Sequence, residues 1–180
     1  YALPVSVQSR RIIQASARPA YPAANAEQGV RLFPCVTRLA EQPLLAGLKH
    51  LNRLEQVLAR AEWQSAEYAE GLLCDLSGRV VEGVFSNLFM VRDQLLLTPQ
   101  LTRCGVAGVM RAELLVQAQQ LGISVVERDI DYAELLAADE VFVCNSLYGI
   151  WPVRALAAHD WPVGPLTRKL QAIAGDIVGC

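Results

Sequence analysis

The stretch from residue 69 to residue 99 carries four short apolar runs that are separated by turn signals. Runs of this length, rich in valine, leucine and phenylalanine, are typical of strands. They predict strands at 71–75, 80–82, 87–92 and 94–98, with turns at Ser77-Gly78 and at Asp93. A chain with this segment has to build a sheet from closely connected strands.

The rest of the chain mixes helical and strand-like patterns. Residues 9–22 predict an edge strand that runs into a proline-rich turn, and residues 29–39 predict a strand interrupted at Pro34. Helical spacing of apolar residues over 106–122, with Gly122 as the stop, predicts the clearest helix. Then follow a strand (123–130), a short helix (131–138), a buried strand (139–146) and a terminal amphipathic helix (165–179). The pattern indicates a single α/β domain over residues 1–180 with a mixed sheet.

Composition narrows the function classes. The 180 residues are 53% hydrophobic and 19% charged, with a net charge of −2 and scattered basic side chains. Binding to nucleic acid or to an anionic membrane is therefore not expected as the main activity. No apolar run approaches the ~18 residues that a membrane-spanning helix needs.

The five cysteines, Cys35, Cys74, Cys104, Cys144 and Cys180, include no CxxC pair. They indicate neither a zinc site nor a disulfide framework, so we expect no metal and a reducing cytoplasm. The chain starts without methionine, at residues that resemble the inside of a strand. We interpret it as a fragment or a processed chain that lacks an N-terminal portion.

Lys49 is one of two lysines in a chain with fourteen arginines. Leu51, Leu54, Leu58 and Ala61 share one helical face, and Asn52 and Glu55 have the spacing of a capping box, which places Lys49 just before a helix. One interpretation is a lysine at the rim whose stem covers apolar surface. The other is a partly desolvated amine that forms a Schiff base.

A Schiff-base lysine for pyridoxal phosphate needs an acid for the pyridine nitrogen and a cradle for the phosphate. Glu82, at the end of an apolar run, is a candidate acid or an exposed turn residue. Gly108 opens a helix whose first N–H groups, on Val109 and Met110, can face a phosphate. Glycine-opened helices are common. Asn145 and Ser146 end a buried strand, either at a ligand crevice or in an ordinary loop.

The order of these features resembles the fold type IV pyridoxal-phosphate enzymes, which include branched-chain and D-amino-acid aminotransferases. The wording "KHLNRLEQVLAR", "VVEGVFSNLF", "CGVAGVMR" and "DEVFVCNSLYGIWPV" is most similar to the aminodeoxychorismate lyase family. The resemblance covers nearly all of the chain and corresponds to the C-terminal two thirds of such an enzyme. It implies the large, barrel-like α/β domain of the D-amino-acid aminotransferase-like fold, without the N-terminal lobe.

The resemblance also implies roles for residues. Lys49 binds the cofactor covalently and serves as the general base, and Glu82 pairs with the protonated pyridine nitrogen. The phosphate lies against the N–H groups of Val109 and Met110 and the hydroxyl of Ser146. Weaker candidates are Leu147 and Tyr148, whose backbones would contact substrate carboxylates.

The implied reaction converts 4-amino-4-deoxychorismate to 4-aminobenzoate and pyruvate, a step towards folate. A homodimer with a small-molecule substrate is expected for such an enzyme. Two alternatives stay open: a fold type IV aminotransferase, and a lobe without a functioning site.

Overall fold

The computed structural model describes Ala2 and residues 5–179. The helices are α1 (Ala23–Glu27), α2 (Leu54–Arg60), α3 (Val109–Gln120), α4 (Tyr132–Leu136) and α5 (Pro165–Val178). The strands are β1 (Val30–Leu39), β2 (Tyr68–Asp75), β3 (Arg79–Gly83), β4 (Asn87–Arg92), β5 (Leu95–Pro99), β6 (Val125–Arg128), β7 (Ile130–Asp131), β8 (Glu140–Asn145), β9 (Gly149–Leu156) and β10 (His159–Asp160).

The ten strands form one mixed sheet, ordered β6-β5-β4-β8-β9-β1-β2-β3-β7, with β10 paired to β9. Strand β1 runs parallel to both of its neighbours, whereas β4, β8 and β9 are joined in antiparallel pairs. The three residues 84–86 connect β3 to β4, although these strands lie five places apart in the order. So short a connection requires the sheet to curl, and the predicted barrel-like, mixed α/β architecture is confirmed.

Both faces of the curled sheet are buried. Along β4, Leu88 and Met90 contribute to one apolar cluster, while Phe89 and Val91 contribute to the other. This alternation is the period of two that a strand imposes on its side chains. Helices α3 and α5 cover the second face through Leu114 and Leu170, among others.

The four strands predicted between residues 71 and 98 are confirmed as β2 to β5, and so are the helices α3 and α5. The edge strand predicted over 9–22 is wrong, because residues 7–22 form no ladder with any described strand and are almost entirely exposed. The strand predicted over 123–130 divides at Asp129 into β6 and the start of β7. The sequence patterns missed β9.

Helix α2 differs most from its prediction. It begins at Leu54, and its N-cap residue is Arg53, which makes no side-chain capping bond. The predicted capping box is therefore wrong: Glu55 instead accepts a hydrogen bond from the N–H of Ala40. The buried residues of the helix are Gln56 and Ala59, and its leucines point outward.

Among the described residues, no helix combines the length and the apolar character that spanning a bilayer requires.

Candidate active site

The backbone just ahead of Lys49 is fixed against a second segment. Gly47, with φ of +79°, donates its N–H to the carbonyl of Gly105 at 2.9 Å and accepts from the N–H of Ala107 at 3.0 Å. The two segments thus form a short parallel bridge between Gly47 and Val106. Lys49 follows two residues later, in a loop before α2, and its side chain is exposed.

Glu82 lies on the other side of the same segment. It belongs to β3 and is only 3% exposed. Its Oε2 accepts the N–H of Val106 at 2.8 Å. Burial raises the pKa of Glu82 to about 7, although the Val106 N–H, the charge of Arg53 and the amide of Gln56 lower it. The alternative of an exposed turn carboxylate is therefore wrong.

A second buried carboxyl, Glu70, was missed by the sequence patterns. It accepts hydrogen bonds from the N–H groups of Gly71, Val84 and Phe85 at 2.8, 2.9 and 3.3 Å and from the hydroxyl of Ser86 at 2.7 Å. Burial raises its pKa to about 7, against these bonds. Glu70 thereby fixes the tight 83–86 turn behind Glu82. A glutamate inside the apolar run of β2 was the available signal.

Asn87 was missed too. Its Nδ2 donates to the carbonyl of Val106 at 2.7 Å, and its Oδ1 accepts the N–H of Gly108 at 3.1 Å. A Cβ on Gly108 would lie only 2.3 Å from that Oδ1, so the close approach requires glycine. Asn87 thus ties the start of α3 to the start of β4.

The N-terminus of α3 leaves backbone donors available for an anion. Gly108 is its N-cap in an extended conformation and has no side chain that could accept from the helix. The first N–H groups, on Val109 and Met110, have no acceptor within the helix. Val109 is exposed and Met110 is buried. Both side chains are apolar, so the polar groups of these two residues are those of the backbone.

Ser146 and its neighbours lie at the end of β8. Ser146 is exposed, and Asn145 donates from Nδ2 to the carbonyl of Phe85 at 3.2 Å, in the turn next to Glu82. The N–H groups of Leu147 and Tyr148 both donate to Asn145 Oδ1, at 2.9 and 3.1 Å. A contact from either N–H to a substrate carboxylate would have to replace one of these bonds.

The structure therefore links the Lys49 loop, Glu82 and the start of α3 through the single segment 105–108, and Asn145 links the end of β8 to the adjoining turn. Glu82 is a buried carboxyl that a cationic ring nitrogen would stabilise, and the α3 terminus, whose first N–H groups have no acceptor within the helix, suits a phosphate. These donors and acceptors fit the two ends of pyridoxal phosphate.

This chain is similar in sequence to several proteins of known name or structure. An aminodeoxychorismate lyase from Vibrio harveyi is 48% identical over 157 residues, which are 85% of this chain and 58% of that protein. The crystal structure of 4-amino-4-deoxychorismate lyase from Pseudomonas aeruginosa is 67% identical, with a TM-score of 0.89 over 91% of this chain and 60% of that one.

A more distant structure is the T.th. branched-chain amino acid aminotransferase complexed with N-(5'-phosphopyridoxyl)-L-glutamate. It is 27% identical, with a TM-score of 0.74 over 84% of this chain and 53% of that one. The chain thus spans about 60% or less of the length of these three relatives. Residues 5–156 match the family described as amino-transferase class IV. The chain belongs to the class IV amino-transferase family.

Proposed function

We propose that residues 1–180 are a single cofactor-binding domain of a pyridoxal-phosphate lyase that converts 4-amino-4-deoxychorismate to 4-aminobenzoate and pyruvate. One observation carries the proposal: Gly47, two residues before Lys49, and the buried carboxyl of Glu82 are both bonded to the segment 105–107. The loop that carries the lysine and the strand that carries the acid are therefore both held against one piece of backbone, which supports the assignment of Lys49 and Glu82 to one site. The identity to lyases from two organisms supports the choice of reaction.

The resemblance to such lyases and this geometry together support the following roles in holding the cofactor. Lys49 would carry the carbonyl carbon of the cofactor, and Glu82 would accept a hydrogen bond from its protonated ring nitrogen. The phosphate would lie at the N–H groups of Val109 and Met110 and at the hydroxyl of Ser146. When bound, pyridoxal phosphate supplies an electron-poor ring that stabilises negative charge next to the substrate amine.

Lys49 would then move protons. Its amine, released when substrate binds, removes the proton from the ring carbon that bears the substrate's amino group. Loss of that proton and of the enolpyruvyl group leaves an aromatic ring, which makes the step favourable. The same amine returns a proton to the carbon of the departing pyruvate. Buried Glu82 keeps its carboxyl beside the cofactor ring throughout.

Contacts to the substrate carboxylates are proposed for the backbone of Leu147 and Tyr148. The shared acceptor of their N–H groups, Asn145 Oδ1, holds both donors in one direction. A substrate carboxylate would therefore compete with the Asn145 amide for them.

The assembly and the compartment are also proposals. Exposed apolar side chains cluster at the Lys49 loop and on α2, namely Leu48, Leu51, Leu54, Val57 and Leu58. A patch of this kind marks a protein interface, and we propose a homodimer of the intact protein. Four described cysteines are free and buried, which suits a reducing cytoplasm. Sedimentation of the intact protein and of its Leu54→Glu variant tests the dimer, which the charge should dissociate.

The experiment that tests the function uses the intact protein, pyridoxal phosphate and 4-amino-4-deoxychorismate. We expect 4-aminobenzoate and pyruvate in equal amounts, and borohydride should trap the cofactor on Lys49 alone. Lys49→Ala should abolish both product formation and borohydride trapping, because the other lysine, Lys169, lies in α5. The control is Lys169→Ala, which should leave both intact.

Two results would contradict the proposal. Trapping of the cofactor at a residue other than Lys49 would refute the site. Conversion of the bound cofactor to pyridoxamine phosphate by an amino donor, without formation of 4-aminobenzoate, would make the protein an aminotransferase instead.

A further inference from the structure

Arg53 folds its side chain back over the loop that precedes α2. Its Nε donates to the carbonyl of His50 at 3.0 Å, and its Nη2 donates to the carbonyl of Leu48 at 2.6 Å. These carbonyls belong to the residues on either side of Lys49. One guanidinium therefore holds the backbone both before and after the lysine.

The chemistry of the guanidinium matters for this arrangement. Its donors lie in one plane at fixed angles, so two bonds from one group fix the relative direction of the two carbonyls. An ammonium in the same place is a point charge on a flexible stem and cannot reproduce that plane. The bridge at Gly47 fixes the loop on its N-terminal side, and Arg53 supplies the restraint around Lys49 itself.

The same guanidinium also acts on the buried acid. Arg53 and Gln56 line one cavity together with Gly105, which directly precedes the Val106 N–H that Glu82 accepts. From this position the positive charge of Arg53 lowers the pKa of Glu82, against the larger effect of burial. Gln56 lies one helical turn later and faces Glu82 as well. Helix α2 therefore turns a polar side, rather than its leucines, toward the acid.

Other groups face Glu82 from the neighbouring elements. The carboxyl of Glu70, on β2, raises its pKa, and the N–H of Val106 lowers it. Cys104 lies two residues before Val106. Burial raises the pKa of its thiol, and the charges of Asp75 and Glu82 raise it further, to about 11. Among the largest influences on the pKa of Glu82, Arg53 supplies the positive charge.

We propose that Arg53 is a positioning residue that fixes the backbone on both sides of Lys49 and holds a positive charge toward Glu82. The inference rests on the proposed function, since it assigns Arg53 to the alignment of the two groups that would hold opposite sides of one cofactor ring. If Arg53 only held the loop together and did not align Lys49 with Glu82, replacing it would change the stability of the fold and nothing else.

Two variants separate the two contributions. Arg53→Lys keeps the charge and loses the planar pair of donors, whereas Arg53→Gln keeps amide donors and loses the charge. Arg60→Gln is the matched control, because Arg60 lies on the same helix and binds the carbonyl of Trp63, away from the Lys49 loop. Each intact protein is examined by thermal unfolding, by timed borohydride trapping of pyridoxal phosphate on Lys49, and by the ¹³C titration of the Glu82 carboxyl.

We expect trapping on Lys49 to slow at least tenfold in both Arg53 variants and to stay unchanged in Arg60→Gln. The titration midpoint of Glu82 should rise in Arg53→Gln, because a neighbouring positive charge is lost, and should stay near the wild-type value in Arg53→Lys. Unfolding temperatures close to that of the wild type complete the expected result.

The proposal is overturned if both Arg53 variants trap the cofactor at the wild-type rate, or if slower trapping only follows global unfolding at the assay temperature. A Glu82 midpoint that does not move in Arg53→Gln overturns the electrostatic part, whatever the trapping rates. Failure of the proposed function looks different: the wild-type protein itself would trap no cofactor on Lys49.

Discussion

Helices α2 and α5 carry similar apolar patterns and use them in opposite ways. In α5, Leu170 and Ala174 are completely buried against the sheet. In α2, Leu54 and Leu58 are 69% and 54% exposed, and the buried positions are Gln56 and Ala59. Periodicity therefore identifies which residues share a face of a helix, but not what covers that face.

The reason lies in what each helix contacts. Helix α5 packs on the apolar face of β8 and β9, where Phe142 and Ile150 exclude water. Helix α2 borders the candidate site, where the buried Glu82 needs polar neighbours. Arg53 and Gln56 meet that need, and the leucines are consequently directed away from the domain.

The largest predicted effect is a difference in stability between a leucine substitution in α5 and one in α2. Leu170→Ala should lower the free energy of unfolding by about 2 to 5 kcal/mol, because it leaves a cavity in a fully packed face. Leu54→Ala, at an exposed position of α2, should change it by less than about 0.5 kcal/mol. Urea unfolding of the monomeric chain measures both. Equal losses in the two variants would show that the α2 face is packed within the domain.

The next largest effect concerns the buried carboxyls, whose ionisation makes the free energy of unfolding depend on pH. The pKa of Glu82 rises from an ordinary value of 4.5 to about 7 in the folded chain. Between these values the folded state binds more protons than the unfolded state, so stability falls as the pH rises through this window. Glu82→Gln should remove up to about 3 kcal/mol of that fall in the chain without cofactor.

Glu70 has the same shift and contributes to the same fall, so Glu82→Gln should reduce the pH dependence rather than abolish it. The control is Glu27→Gln, at an exposed position of α1, which should leave the profile unchanged. Urea unfolding at a series of pH values from 4.5 to 7.5 gives the slopes. A wild-type slope retained in Glu82→Gln would mean that Glu82 ionises as it does in water.

The sequence predicted those parts of the fold that local patterns determine. The strands β2 to β5 were identifiable because turn residues such as Gly78 and Asp93 punctuate apolar runs. The acid at Glu82 was identifiable because it follows such a run. In contrast, β9 lacks clear punctuation, with Pro152 and Arg154 inside it, and was missed.

What the sequence did not predict depends on contacts between distant segments. The bond of Asn87 to Gly108, the bonds of Glu70 to the 83–86 turn and the outward face of α2 all need the curled sheet to exist first. Only the folded backbone brings Arg53 toward Glu82, 29 positions later in the numbering. The resemblance to known enzymes supplied roles for Lys49 and Glu82 but none for Arg53.

The smallest predicted effect concerns the glutamates at the first turns of α5 and α2. Glu140 of β8 accepts the N–H groups of Leu166 and Thr167, at 3.1 and 2.7 Å, and so caps α5 with both carboxylate oxygens. In α2, Glu55 accepts the N–H of Ala40, outside the helix, at its Oε1.

Glutamine offers one acceptor oxygen where glutamate offers two, and its amide group would face an N–H donor. In Glu140→Gln one of the two N–H groups, of which that of Thr167 is buried, therefore loses its acceptor, and the negative charge at the helix N-terminus is lost as well. Together these changes should cost about 1 to 2 kcal/mol. Glu55→Gln keeps the one acceptor it uses and should cost a few tenths of a kcal/mol. Urea unfolding at pH 7 compares the two variants, and a Glu55→Gln loss as large as that of Glu140→Gln would mean that α2 depends on its first turn as strongly as α5 does.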